Sequence, residues 1–390
     1  MKRTCTGEYF ITKTPGEKVK AFIPLPLPPK PPIHISDKLL ALLEKASLTI
    51  GKLDSLSMNM PDSSIILYQY IRKEAVLSSQ IEGTQSSLSD LLKFENDALP
   101  GVPLDDVQEV SSYVAAINYG LKRIRSDNFP VSIRLLKEIH KILLSSGRGA
   151  HKNPGEFRKS QNWIGGTRPG NAVFVPAPPH KVLECMGNLE KFIHDESYYM
   201  PVLFKAAIAH VQFETIHPFL DGNGRAGRLF ITLYLCSEKI LHEPVLYLSL
   251  YLKKYQKEYY DLLQEVRLNG NWEKWIMFFL EGVCETAGWA VETAKAIKKL
   301  YDKDSEIISA AGKSAGSLIR THQHLMKKLI VTPTRIAKEL QMSFPTVQRA
   351  LQRLEQLEII REITGRKRNK MYAYEKVLAV LERGVGTNLF

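Results

Sequence analysis

Cysteine is scarce in this sequence. Cys5, Cys185, Cys236 and Cys284 are the four in 390 residues, and they lie far apart. No pair has the spacing of a zinc cluster or of a disulfide framework, so metal-stapled and disulfide-stapled folds are excluded. The thiols read as reduced residues of a cytoplasmic protein, with Cys185, Cys236 and Cys284 packed in or near the core. No run of about 18 apolar residues exists, which argues against a membrane span. Met1 to Cys5 is followed by Gly, Glu and Lys rather than an apolar segment, so no secretory leader is expected. Internal repeats are absent. Acidic residues are in deficit, 41 against 53 Lys and Arg, for a formal net charge of +12. That balance favours acidic partners such as nucleic acid or nucleotide phosphates and says nothing about fold. With 44% hydrophobic and 24% charged residues, the chain is neither disordered nor collagen-like. Its length suits about two to three domains.

Six prolines between Pro24 and Pro32 predict an extended strap across the globule. From Ser36 the pattern is helical. Asp62 can cap a helix carrying Ile65, Ile66, Tyr70, Val76, Leu77 and Ile81, with Gly83 as its stop. Further helices are predicted at about 105–126, 131–146, 180–196, 201–215, 225–239, 250–268 and 271–295. Between them, Asn162 to Pro176 has Gly and Pro punctuation flanked by β-branched and aromatic residues, which predicts a short hairpin. The fold class is mostly α, in three regions: residues 1–104, a core at 105–312 and a terminal module at 313–390.

The most informative stretch is His217-Pro-Phe-Leu-Asp-Gly-Asn-Gly-Arg-Ala-Gly-Arg228, between two apolar helices. Its glycines let the backbone approach a ligand, and the helix that follows offers free N–H groups and a positive dipole end to an anion. Arg225 and Arg228, three apart, would face the same way and fork onto phosphate oxygens. Asp221 is a hard oxygen ligand suited to Mg²⁺. His217 can exchange a proton near neutral pH.

This stretch resembles the signature of the Fic family, His-x-Phe-x-(Asp/Glu)-Gly-Asn-Gly-Arg-x-x-Arg, at every fixed position. His151 to Arg158, Tyr259-Tyr260 and Gly270 to Trp275 are similar to the family's surrounding core, so the resemblance covers roughly residues 35–295. It implies a helical Fic-type core with a β-hairpin flap and transfer of AMP from ATP to a protein hydroxyl on Tyr, Ser or Thr. His217 would be the base, and Asp221 would hold Mg²⁺. Gly222, Asn223 and Gly224 would cradle the phosphates, with Ala226 and Gly227 in the same nucleotide-binding run. Arg225 would neutralise the α and β oxygens, Arg228 would hold the γ-phosphate, and Phe219 would anchor the loop. The branch that transfers phosphate has Lys where this chain has Gly224, so AMP transfer is favoured. One departure concerns the adenine. Tyr255 stands where many relatives have an Asn against the base. Tyr251, Tyr255 and Tyr259 read equally as an aromatic wall or as core tyrosines.

Ser78 and Glu82, at i and i+4 on one helix and followed by Gly83, resemble the family's inhibitory motif, which implies that Glu82 denies Arg228 to the γ-phosphate. Some relatives also use this Glu in removing AMP. Trp163, Ile164, Gly165, Val173 and Phe174 match the flap that docks an extended target segment by strand addition, and self-modification is an expected use. Residues 320–370 hold twelve Lys and Arg against four Asp and Glu, a local +8. There, Thr334–Leu340, a turn and a helix from Ser343 precede a basic hairpin at Gly365 to Lys370, the pattern of a winged helix-turn-helix. Gln348, Arg349, Gln352 and Arg353, with Arg366, Lys367 and Arg368 on the wing, are candidate DNA contacts. A protein-docking role for this module stays open. So does a DNA-binding regulator whose core senses nucleotide, a different nucleotide donor, and a homodimer.

Overall fold

Helix α7 (Val202–Ile216) is apolar on every side, and nearly all of its residues are buried. A helix of that kind must be enclosed, and the chain is arranged around it. The computed structural model describes residues 6–14, 17–58, 63–96, 101–310 and 315–383. Around α7 pack α6 (Pro179–His194), α8 (Asn223–Ser237), α10 (Gln256–Asn269) and α11 (Trp272–Ser309). A second layer holds α1 (Asp37–Met58), α2 (Ser63–Ile81), α3 (Leu88–Phe94), α4 (Leu104–Arg125), α5 (Ile133–Leu143) and α9 (Ser249–Lys254). Helices α4 and α5 pack on each other and on α8, while α2 lies between α4 and α9.

The predicted helices are present with small shifts at their ends, apart from two. The 250–268 helix is broken at Tyr255, whose backbone leaves the helical region (φ −111°, ψ 39°), giving α9 and α10. The last one runs on to Ser309 as α11, 38 residues long, because Ala287, Ala290, Ala294, Ile297 and Ile308 continue its buried stripe. The expected cap at Asp62 lies outside the described residues. Not anticipated was an N-terminal antiparallel hairpin, β1 (Gly7–Thr14) with β2 (Glu17–Pro24). It leads into the proline segment, which crosses the core as a strap. Gln212 of α7 donates to the Leu25 carbonyl (2.8 Å), and Trp272 lines the same cleft.

The terminal module has α12 (Ala315–Lys328), β3 (Ile330–Val331), α13 (Pro333–Leu340), α14 (Phe344–Gln356), β4 (Arg361–Glu362), β5 (Tyr372–Ala373) and α15 (Glu375–Glu382). Its strands form an antiparallel sheet in the order β3-β5-β4. Thr332 and Ser343 cap α13 and α14 through their hydroxyls, and Gln341 turns the chain between them with φ 52°. The module is fastened to α2 and α3. Gln69 donates to the Lys327 carbonyl (2.9 Å), Asn96 to that of Ile330 (2.8 Å), and Arg335 to that of Glu95. Among the described residues, no helix is long and apolar enough to cross a membrane. Cys185, Cys236 and Cys284 are free, and burial raises the thiols of Cys185 to about 11 and Cys236 to about 12, as unreactive packing residues require.

Ile117 is fully buried on α4, a helix that packs on α8. Ile117→Ala is expected to cost about 2–5 kcal/mol. Urea unfolding checks this: the midpoint should fall while the slope stays unchanged.

Candidate active site

Helix α7 ends because His217 enters the left-handed region (φ 50°) and Pro218 follows it. Arg158 holds this corner, donating from Nε to the His217 carbonyl (2.9 Å) and from its backbone N–H to the Pro218 carbonyl (3.0 Å). Phe219 is fully buried and lies flat on His140, ring centroids 3.6 Å apart. Asn223 closes the loop, its side chain accepting from Phe219 N–H (2.8 Å) and donating to Phe219 O (2.9 Å). Gly222 (φ 72°) then lets α8 begin.

Burial lowers the pKa of His217 to about 3, with help from the Arg267 and Arg158 charges, so the ring is neutral in the folded protein. Asp221 Oδ1 accepts from Gly222 N–H (2.6 Å). Its Oδ2 faces Gly149, where a Cβ would lie 2.6 Å from it; the missing side chain leaves that oxygen an opening. Among the described residues, no group of three or more His, Cys, Asp or Glu could hold a metal ion. One open carboxylate beside an anion-binding helix start fits Mg²⁺ carried mainly by substrate phosphates rather than by a protein cage.

The two arginines do not face the same way. Arg225 pairs with Glu109 of α4 through Nη1 (3.0 Å), and both side chains are buried. Arg228 turns to the end of α2. Its Nε donates to Ser78 Oγ (2.8 Å), and its Nη2 donates to Ser78 O (2.9 Å) and Glu82 Oε1 (2.7 Å). Burial alone would weaken the Arg228 charge, but the Glu82 carboxylate more than offsets this and raises its pKa. Glu82 lies in the turn after α2, just before Gly83 (φ 94°). A Cβ on Gly224 would run into Glu82 Oε1 and would lie 2.9 Å from Arg228 Nη1.

Several expected contacts fall elsewhere. Asn223 spends its amide on the loop backbone instead of presenting it to a phosphate. Ala226 is fully buried, and Gly227 faces α7, where a Cβ would overlap Glu214 and approach His210. Tyr251 and Tyr259 are core residues. Tyr259 is 1% exposed and shares a hydrogen bond with His210 Nε2 (2.8 Å). Only Tyr255, half-buried against Tyr251, and the exposed Tyr260 have surface to offer.

The flap is reduced to a single antiparallel bridge, Ile164 to Phe174, around a short 3-10 turn at Pro169–Asn171. Left-handed Gly165 and Gly166 and the donorless Pro169 prevent a longer ladder. Trp163 and Val173 are exposed, at 40% and 69%. Asn162 donates to Phe219 O (3.0 Å), which ties the flap to the loop. Its second arm is covered: Phe22 of β2 donates to the Val175 carbonyl (2.9 Å), and the Arg267 guanidinium stacks 4.1 Å over Phe174.

Glu109, Arg158, His140, Glu214 and Arg267 escaped the sequence reading. For Glu109 there was a signal, an acidic run Asp105, Asp106 and Glu109 on the first turns of α4. Arg158 lay inside the resembling stretch from His151. The other three carry no motif.

The chain matches the family model described as Fic/DOC family N-terminal at residues 40–122 and that described as Fic/DOC family at residues 130–235. It is 30% identical over 225 residues to a protein adenylyltransferase Fic of Aedes aegypti, covering 55% of this chain and 41% of that protein. Identity to the one of Culex quinquefasciatus is also 30%, over 47% of this chain and 34% of that protein. The chain therefore spans about two fifths or less of these relatives. A crystal structure of a Fic family protein from Desulfovibrio desulfuricans G20 superposes with TM-score 0.56 at 20% identity, over 89% of this chain and 98% of that one. Fic-1 of C. elegans (residues 134–508) does so with TM-score 0.51 at 21% identity, over 67% and 74%. At these identities the superpositions establish the shared fold.

His140 accepts from Gly155 N–H at Nδ1 (2.9 Å) and meets the Asp221 carbonyl at Nε2 (2.9 Å), so its ring is neutral with the proton on Nε2. Burial depresses its pKa to about 4. Its contribution to stability is therefore present above about pH 6.5 and is lost as pH falls towards 4. His140→Gln keeps a donor and an acceptor without the titration. Its stability deficit relative to the parent should be largest at pH 7.5 and shrink by about 1.4 kcal/mol per pH unit below 6.5. Urea unfolding at several pH values measures this, and a deficit independent of pH would contradict it.

Proposed function

The chain belongs to the Fic/DOC family, and we propose that it is a protein adenylyltransferase held in an inhibited state by Glu82. The observation that carries this reading is the Arg228–Glu82 pair, 2.7 Å, inside a complete anion-binding loop. An arginine suited to a terminal phosphate is occupied by a carboxylate of the same chain. With Glu82 withdrawn, Arg228 is free for the γ-phosphate, and the N-terminal N–H groups of α8 face the remaining phosphates. Asp221 would hold Mg²⁺, which when bound neutralises phosphate charge. An extended segment of a target protein, or of another copy of this chain, adds to the flap through the backbone around Trp163 and Gly165. That places a Tyr, Ser or Thr hydroxyl beside His217. Nε2 of the neutral ring takes the hydroxyl proton, the oxygen bonds to the α-phosphorus, and the bond to the β-phosphate oxygen breaks, releasing pyrophosphate. Positioning and charge stabilisation supply most of the acceleration in such transfers. The open backbone at Gly224, with no lysine there, favours AMP as the transferred group, and the free thiols suit a cytoplasmic setting.

A second activity is supported by the terminal module. The wing and the start of α14 enclose a cleft of about 570 Å³ lined by Phe344, Gln348, Arg366, Lys367 and Arg368. Arg349, Gln352 and Arg353 are exposed on the same helix. This basic surface suits DNA, with phosphate contacts from the wing and base edges read by α14.

Glu82→Gly should raise incorporation of labelled AMP at least about tenfold, the factor corresponding to about 1.4 kcal/mol of relieved competition. Intact-mass measurement after incubation with ATP and Mg²⁺ should show a gain of one AMP. His217→Ala in the same background should abolish it, and equal incorporation with and without Glu82 would remove the inhibitory role. For the module, the full chain should shift duplex DNA at low salt. Replacing Arg366, Lys367 and Arg368 by Ala should weaken that binding across sequences and flatten its salt dependence by about 3 in log–log slope. The absence of any shift at low salt would leave the cleft as a protein-docking surface.

A further inference from the structure

The base assigned above needs a fixed proton on its far nitrogen. An imidazole accepts at Nε2 only when its own hydrogen sits on Nδ1. Among the described residues, His217 Nδ1 makes no hydrogen bond to another side chain. One turn earlier on α7 stands Glu214, 5% exposed, with Oε2 3.7 Å from that nitrogen and Oε1 also without a partner. The buried Glu214 carboxyl is left short of a donor at 3.7 Å from that nitrogen, a costly vacancy that closing the gap would fill. The room for this carboxyl is built into the neighbouring helix. A Cβ on Gly227 would overlap Glu214 Oε1, so α8 is kept clear at that point.

Resting on the reading of His217 as base, we infer that Glu214 is the positioning residue that holds the His217 proton on Nδ1 and matches the charge of the imidazolium formed during transfer. The relation is that of the carboxylate in a Ser-His-Asp triad, which orients and stabilises the histidine without taking its proton. The surroundings tune the carboxyl. Burial raises its pKa to about 7 and Glu82 adds to this, while Arg228 of α8 and Arg267 of α10 oppose it. Tyr259 of α10, His210 of α7 and Arg158 complete the titratable and charged groups around the pair. The Glu214 backbone carbonyl is the rival acceptor for the His217 ring: it accepts from Arg267 Nη2 (3.1 Å) and keeps a second lone pair for the imidazole.

The test uses the full chain carrying Glu82→Gly, labelled with ¹⁵N-histidine. Long-range ¹H–¹⁵N spectra, with His217 assigned by its loss in His217→Gln, report which ring nitrogen is protonated. In the parent we expect the proton on Nδ1. Glu214→Met, similar in volume and without an acceptor, should give a mixed or reversed tautomer. It should lower kcat for AMP transfer roughly 100-fold while KM for ATP stays within about threefold. Glu214→Asp should recover part of the kcat and raise the acid limb of the pH–rate profile above that of Glu214→Met. An unchanged Nδ1–H tautomer in Glu214→Met would assign the role to the backbone carbonyl and overturn the inference. So would a kcat within twofold of the parent. The tautomer readout needs no turnover, so a parent without transfer activity would count against adenylyl transfer and leave this inference to be decided by the spectra.

Discussion

The arrangement hangs on one buried guanidinium. Arg228 projects from the second turn of α8 into the end of α2, where Ser78 and Glu82 satisfy it, and its side chain is 2% exposed. A buried cation is tolerable only with partners placed as closely as these, and removing one would leave a costly unpaired charge. The interaction therefore fixes two helices that are 146 residues apart in the chain. Glu74 and Ser78 on α2 and Glu82 in the turn after it follow at four-residue intervals, with Glu74 accepting from the Ser249 N–H of α9 (3.1 Å) and Ser78 and Glu82 meeting Arg228 of α8. The middle of the same helix carries Gln69 and Arg72, which meet the terminal module and the C-cap of α3. One rigid element thus joins the anion loop to the module.

Around that interaction the loop is held by groups whose polar atoms bond to the protein itself. Arg158 caps the carbonyls of a terminated helix, His140 supports Phe219 and the Asp221 carbonyl, and Asn223 staples the loop to itself. Each spends polar capacity inside the protein so that the backbone N–H groups at the start of α8 point outward at no further cost in ordering.

Much of this was legible in the order of residues. Apolar periodicity marks the helices because their buried faces repeat, and the His217–Arg228 run was readable because loop, helix start and arginines are contiguous. What could not be read is what comes together from distant segments. Glu109 reaches Arg225 across 116 positions, and nothing local to either residue announces the other. Asn223 and Gly227 were assigned to ligand by position in the run, whereas helical geometry turns them toward Phe219 and α7. The N-terminal hairpin was missed although its two strands pair locally; only its bond to the flap, from Phe22 to Val175, joins distant segments. The split at Tyr255 was missed because α9 and α10 share one apolar stripe.

The bare backbone at Gly224 has a steric consequence. The space a first carbon would fill there is the space that Glu82 occupies when docked on Arg228. A side chain at 224 would require the Glu82 carboxylate to move from its present seat, so the two positions are physically coupled. A larger residue at 224 would therefore act on the Arg228–Glu82 pair as well as on its own surroundings. The glycine thus keeps room for the carboxylate that Arg228 holds.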